Sequence, residues 1–95
     1  WRTSPVVLGR ADSQNPRFAR IELDLYPDKE YVSKEHLLIF RRGVHYYAVD
    51  LRTRNGTLLN GQPMIPGTRA YPLQHNDRLF LGNASNHVAL LFQRT

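Results

Sequence analysis

No run of this chain keeps a helical period for the ten or more residues a helix would need. Apolar stretches are short and are cut repeatedly by Gly, Pro and Asn, at Gly43, Asn55-Gly56, Asn60-Gly61, Pro66-Gly67, Asn76 and Gly82. Punctuation at roughly 8–12-residue spacing belongs to all-β sandwiches and barrels. Strands are expected over Val6 to Leu8, Leu37 to Arg42, His45 to Leu51, Leu58-Leu59, Arg78 to Leu81 and His87 to Gln93. Ala19 to Leu25 sets Ile21, Leu23 and Leu25 against Arg20, Glu22 and Asp24, the period-two signature of a half-buried strand. Gln62 to Ile65 is a short run, and Pro72 would confine Thr68 to Leu73 to a sheet edge. Residues 11 to 17 and 26 to 30 read as loops, and 1 to 5 as a lead into the first strand.

Ninety-five residues suffice for one core and not for two, so residues 1–95 are expected to form a single domain. Without cysteine, disulfides, thiolate zinc sites and cysteine nucleophiles are excluded; the absence does not itself reveal the redox compartment but suits the cytoplasmic setting expected for this domain. Leu37 to Phe40 and Val88 to Phe92 are far too short to span a bilayer as helices, so no membrane insertion is expected. The net charge is +5, and eleven of the thirteen basic residues are arginine. Arginine offers a rigid donor fork suited to phosphate and carboxylate, so charge alone supports an acidic partner and a basic surface that merely aids solubility about equally.

Chemistry-bearing residues gather at three loops. Gly9-Arg10 ends the first strand, Ser33-Lys34-Glu35-His36 precedes the strand from Leu37, and Thr53-Arg54-Asn55-Gly56-Thr57 lies between two strand-like runs. A cation, a hydroxyl and an amide on separate loops form the donor set a phosphate-bearing ligand needs. In this order, with Asn60-Gly61 following, these pieces resemble the forkhead-associated (FHA) domain, whose pattern is Gly-Arg, Ser-x-x-His and Asn-Gly. Asp24-Leu25-Tyr26-Pro27 is similar to the lead-in of bacterial members, and Asn76-Asp77-Arg78-Leu79-Phe80-Leu81-Gly82 to the family's Gly-Asp-x-Ile-x-Leu-Gly close. The resemblance covers residues 6 to 93.

The resemblance implies a β-sandwich of two packed, mostly antiparallel sheets, without substantial helix. Its loops would bind phosphothreonine peptides in signalling and perform no chemistry on them. By position, Arg10 and Ser33 would hold the phosphate, Lys34 would assist, and Asn55 would fix the peptide main chain. Arg54 replaces a serine or threonine common in the family, so a hydroxyl contact is lost or a second cation gained. Arg54 and the loop 11 to 17 are candidates for reading residues beside the phosphothreonine. His36, Gly9, Gly56, Asn60 and Gly61 are expected to support the binding loops without touching ligand. Family members carry more chain before Gly-Arg than the eight residues here. Together with the start at Trp1, that suggests a piece of a longer protein: either upstream sequence with the first strand is cut away, or that sheet edge is supplied by another part of the chain or another molecule, which leaves the oligomeric state open.

Rival readings find less support in the residues. Catalysis has no Gly-x-Ser-x-Gly elbow, and histidines 36, 45, 75 and 87 lack metal-binding spacing, so no enzyme activity, metal or cofactor is expected. Nucleic-acid binding would rest on charge and on tyrosines 26, 31, 46, 47 and 71, which at strand spacing read better as core and cross-strand pairs. The runner-up is a degenerate sandwich that serves as a phosphate-independent interaction or oligomerisation scaffold.

Overall fold

The computed structural model describes residues 5–10, 19–22 and 29–94. Among these it contains nine strands: β1 (Val6–Gly9), β2 (Ala19–Glu22), β3 (Leu37–Arg42), β4 (His45–Asp50), β5 (Thr57–Leu59), β6 (Gln62–Pro63), β7 (Tyr71–Leu73), β8 (Asp77–Gly82) and β9 (His87–Phe92). Among the described residues, the single 3₁₀ turn Lys29–Tyr31 is the only helical element. Two of the expected strands are shorter than their patterns suggest: the run from Gln62 pairs only through Pro63, and that from Thr68 only from Tyr71. The N-terminal lead, the loop 11 to 17 and the stretch 23–28 fall largely or wholly outside the described residues.

Five strands make one sheet in the order β2-β1-β3-β4-β7, and four make the other in the order β6-β5-β8-β9. All pairings are antiparallel except β1 with β2, which runs parallel from Val6↔Ala19 to Gly9↔Glu22. Pro72 lies on an edge strand, where its missing N–H disrupts no interior ladder.

Alternation along the strands builds the core. Val6 and Leu8 of β1, Leu37 and Ile39 of β3, and Tyr46 and Ala48 of β4 point inward from the larger sheet. Leu79 and Leu81 of β8, with Val88 and Phe92 of β9, meet them from the smaller. The Tyr46 and Phe92 rings are tilted against each other at 5.4 Å between centroids, joining the two layers at one end. Met64 and Leu73 complete the cluster from loop and edge. Val32 also enters it, although it lies in no strand, and is only 1% exposed.

The two Asn-Gly dipeptides do different jobs. Asn60 (φ 52°) and Gly61 (φ 85°) both take the left-handed region and close a two-residue hairpin between Leu59 and Gln62. Asn55-Gly56 makes a turn but not a hairpin: β4 before it belongs to the larger sheet, and β5 after it to the smaller. The chain crosses between layers there, and the crossing is held by side chains.

Candidate functional site

Asp50, the last residue of β4, holds the crossing. It is only 1% exposed, and its carboxylate accepts the Thr53 N–H at Oδ1 (2.9 Å). At Oδ2 it accepts the hydroxyls of Thr53 (2.8 Å) and Thr57 (2.6 Å). The Gly56 N–H in turn donates to Thr53 Oγ1 at 3.1 Å. A buried carboxylate survives only when hydrogen bonds replace its water, and these three donors do so. They also draw residues 53–56 into one tight turn.

His36 ties this turn to the Ser33 loop. It is fully buried. Its Nδ1 accepts the Ser33 N–H at 2.9 Å, which puts the ring proton on Nε2. That Nε2–H is directed between the Gly56 carbonyl (2.8 Å) and Thr57 Oγ1 (3.0 Å). The pKa of His36 is lowered chiefly by burial, against opposing effects of the Gly56 hydrogen bond and the Asp50 charge. The neutral ring is the one the geometry requires, since a proton on Nδ1 would face the Ser33 donor. The His36 backbone bridges strands as well: its N–H donates to Leu8 O, and its carbonyl accepts the Leu51 N–H, both at 3.0 Å.

The third loop is clamped directly onto the second. The Arg10 N–H donates to Ser33 O (3.1 Å), and Arg10 Nε to Val32 O (2.6 Å). Gly9 is required by this approach. A Cβ there would overlap the Lys34 carbonyl and lie 2.7 Å from Ser33 O. The buried Val32 side chain anchors the same segment from the core side. Asn55 closes the ring of contacts by donating from Nδ2 to Tyr31 O at 3.1 Å.

These contacts enclose a cleft of about 320 Å³ lined by Arg10, Glu30, Tyr31, Val32, Ser33, Arg54 and Asn55. Of the residues singled out in the sequence, Arg10, Ser33, Arg54 and Asn55 meet in it, from three separate loops. Lys34 does not line it and is exposed beside the Ser33 segment. Gly9, His36 and Gly56 lie behind the cleft in the contacts just described. Asn60 and Gly61 lie elsewhere, at the opposite end of β5 from this turn. Asn60 bonds the start of β8, accepting the Arg78 N–H (2.8 Å) and donating to Asp77 Oδ1 (3.0 Å), so its contacts serve its own hairpin rather than the cleft.

Sequence reasoning missed Asp50 and gave Thr53 and Thr57 no role of their own, although the three together frame the turn. The available signal was Asp50-x-x-Thr53, a spacing at which an aspartate side chain captures the backbone and hydroxyl three residues on. It also missed Glu30, the carboxylate of the cleft. Among the described residues, no group of three or more His, Cys, Asp and Glu could hold a metal ion.

The fold is thus a two-layer β-sandwich whose loops bring Arg10, Ser33, Arg54 and Asn55 to one cleft. The family model for the FHA domain matches residues 6–82, and the chain belongs to that family. Protein FraH of Nostoc sp. is 31% identical over 90 residues, and the match spans 95% of this chain but only 30% of FraH. Full-length yeast Pml1p is 33% identical with a TM-score of 0.73, over 95% of this chain and 63% of Pml1p. An FHA structure solved in a study of phosphothreonine-dependent interactions is 25% identical with a TM-score of 0.66, over 100% of this chain and 82% of its own. Solved domains of the same fold include complexes with phosphothreonine peptides.

Proposed function

We propose that this domain is a phosphothreonine-dependent peptide-recognition module of a cytoplasmic signalling protein. The observation that carries the reading is the convergence of Arg10, Ser33, Arg54 and Asn55 on one cleft. A phosphothreonine brings nearly two negative charges and three acceptor oxygens at neutral pH. Arg10 and Ser33 supply charge-assisted and hydroxyl hydrogen bonds to those oxygens. Arg54 adds a second cation where the family commonly has a hydroxyl; it makes no hydrogen bond or ion pair to another described residue. Lys34 contributes charge at the rim. Asn55 directs its amide between the Tyr31 carbonyl and the peptide main chain.

Arg54 sits on a turn held by the Asp50–Thr53–Thr57 bonds, and Ser33 is held by His36. The backbone of the loops that carry the donors is therefore held before ligand arrives, which limits the ordering cost of binding to side chains such as the exposed Arg54. Partners are phosphothreonine-bearing proteins, and no cofactor, nucleic acid or membrane insertion has a part in the proposal. No helix among the described residues is long and apolar enough to cross a membrane.

The test is binding to matched phosphothreonine, phosphoserine and unphosphorylated peptide libraries. Arg10→Ala should lose roughly ten- to hundred-fold in phosphopeptide affinity, since one charge-assisted bond contributes about 1.5–3 kcal/mol. Equal binding of phosphorylated and plain peptides by the wild-type domain would overturn the proposal.

A further inference from the structure

Phosphate binding leaves one member of the cleft without a role. Glu30 is exposed on the 3₁₀ turn Lys29–Tyr31 and lines the same cleft as Arg10 and Arg54. It forms no ion pair or hydrogen bond with either arginine or with any other described residue. A carboxylate beside the binding place of a dianion repels that ligand, and an exposed carboxylate has no packing duty that would require it there. Its presence is favourable when the ligand itself carries a cation to that spot.

We propose that Glu30 selects phosphothreonine peptides that carry a lysine or arginine close to the phosphothreonine. The inference rests on the phosphothreonine reading of the cleft. Two contacts fix Glu30 relative to the phosphate donors. The carbonyl of the next residue, Tyr31, is held by Asn55 Nδ2, and the residue after that, Val32, is buried in the core with its carbonyl on Arg10 Nε. The backbone that carries the carboxylate is thus bonded to two of the residues that face the phosphate. A ligand matching the cleft is zwitterionic: a dianion toward Arg10, Ser33 and Arg54, and a cation toward Glu30. This pattern also discriminates between partners, because an acidic side chain brought to Glu30 meets repulsion.

The experiment measures binding of phosphothreonine peptides varied at each flanking position, alongside their unphosphorylated counterparts, to the wild-type domain, Glu30→Gln and Glu30→Arg. In the wild type, a basic residue at one flanking position should strengthen binding by up to about five-fold, the range of a solvent-exposed ion pair. Glu30→Gln should level that position. Glu30→Arg should turn its preference to aspartate or glutamate, with phosphate dependence kept in both variants. Glu30 is exposed, so unchanged thermal melts are expected and serve as the folding control. Indifference of the wild type to basic residues overturns the inference, as does a basic preference that persists in Glu30→Arg; both leave the phosphothreonine reading standing. Equal binding of phosphorylated and unphosphorylated sets overturns that reading and this inference together.

Discussion

Replacing Gly9 by alanine tests whether the binding loops are built by backbone contact. The added Cβ would overlap the Lys34 carbonyl and approach the Ser33 oxygen to 2.7 Å, where an ordinary contact needs 3.4 Å or more. The obstructing atoms are all backbone, so no side chain can swing away. The Ser33-Lys34 segment must lift off β1. Overpacking of this kind costs about 1–3 kcal/mol. Lifting the segment also stretches the bonds from Arg10 N–H to Ser33 O and from Arg10 Nε to Val32 O, adding roughly 1 kcal/mol for each bond broken. A loss of about 3–5 kcal/mol is expected, and at roughly 4–8 °C per kcal/mol for a domain this size the melting temperature should fall by more than ~10 °C. Thermal and urea unfolding followed by circular dichroism would measure it, with phosphopeptide binding recorded below the transition. The surviving folded fraction should bind weakly, because Ser33 has moved from Arg10. A Gly9→Ala domain that melts within a degree or two of the wild type would refute the reasoning, since it would mean that the close approach can relax freely.

Two further outcomes follow from the buried network. Thr57→Val keeps the side-chain shape but removes the hydroxyl between His36 and Asp50. Thr57 is only 2% exposed, so water cannot replace that hydroxyl, and the domain should lose about 1–3 kcal/mol, read from urea midpoints. The pH dependence has a definite sign. Burial lowers the His36 pKa below 6.5, so the unfolded chain binds the proton more readily than the folded one. This contribution is complete above pH 6.5 and is lost as pH falls from 6.5 through the lowered folded value, at up to about 1.4 kcal/mol per pH unit. Urea midpoints measured between neutral and mildly acidic pH should decline over that window in the wild type and decline less in His36→Gln; parallel curves would contradict the assignment.

The parts of the fold that were legible in the sequence are those fixed locally. Asn60-Gly61 needs positive φ at both residues and has it, and Pro72 needs an edge and lies on one. The alternation of Leu79 and Leu81 with Arg78 and Phe80 names the buried face of β8 without any knowledge of its partners. What local pattern cannot supply is which sheet a strand joins. Asn55-Gly56 carries the same dipeptide as the hairpin at residues 60–61, yet β4 and β5 part company there. The difference lies in Asp50, whose buried carboxylate collects Thr53 and Thr57 and so replaces a backbone ladder by side-chain bonds. Likewise, alternation in Ala19–Glu22 announces a strand but not that it runs parallel to β1.

The site divides along the same line. Type and order single out Arg10, Ser33 and Asn55 as candidates, because a phosphate asks for cations, hydroxyls and amides wherever they come from, and the fold brings the three to one cleft. Their mutual placement depends on residues that look ordinary in the sequence: Val32 as an apolar residue outside any strand, Thr57 as the first residue of a short strand, and Asp50 as a strand-end acid of a kind that usually faces solvent. Each is almost fully buried, and each acts by removing a freedom from a loop that carries a donor of the proposed site. Burying His36 and Asp50 costs desolvation that the hydrogen bonds must offset. In return the Ser33 and Asn55 loops cannot move independently. Recognition in the proposed mode therefore rests on a polar core segment lying directly beneath the cleft, and substitutions there should impair binding without touching a single ligand-facing atom.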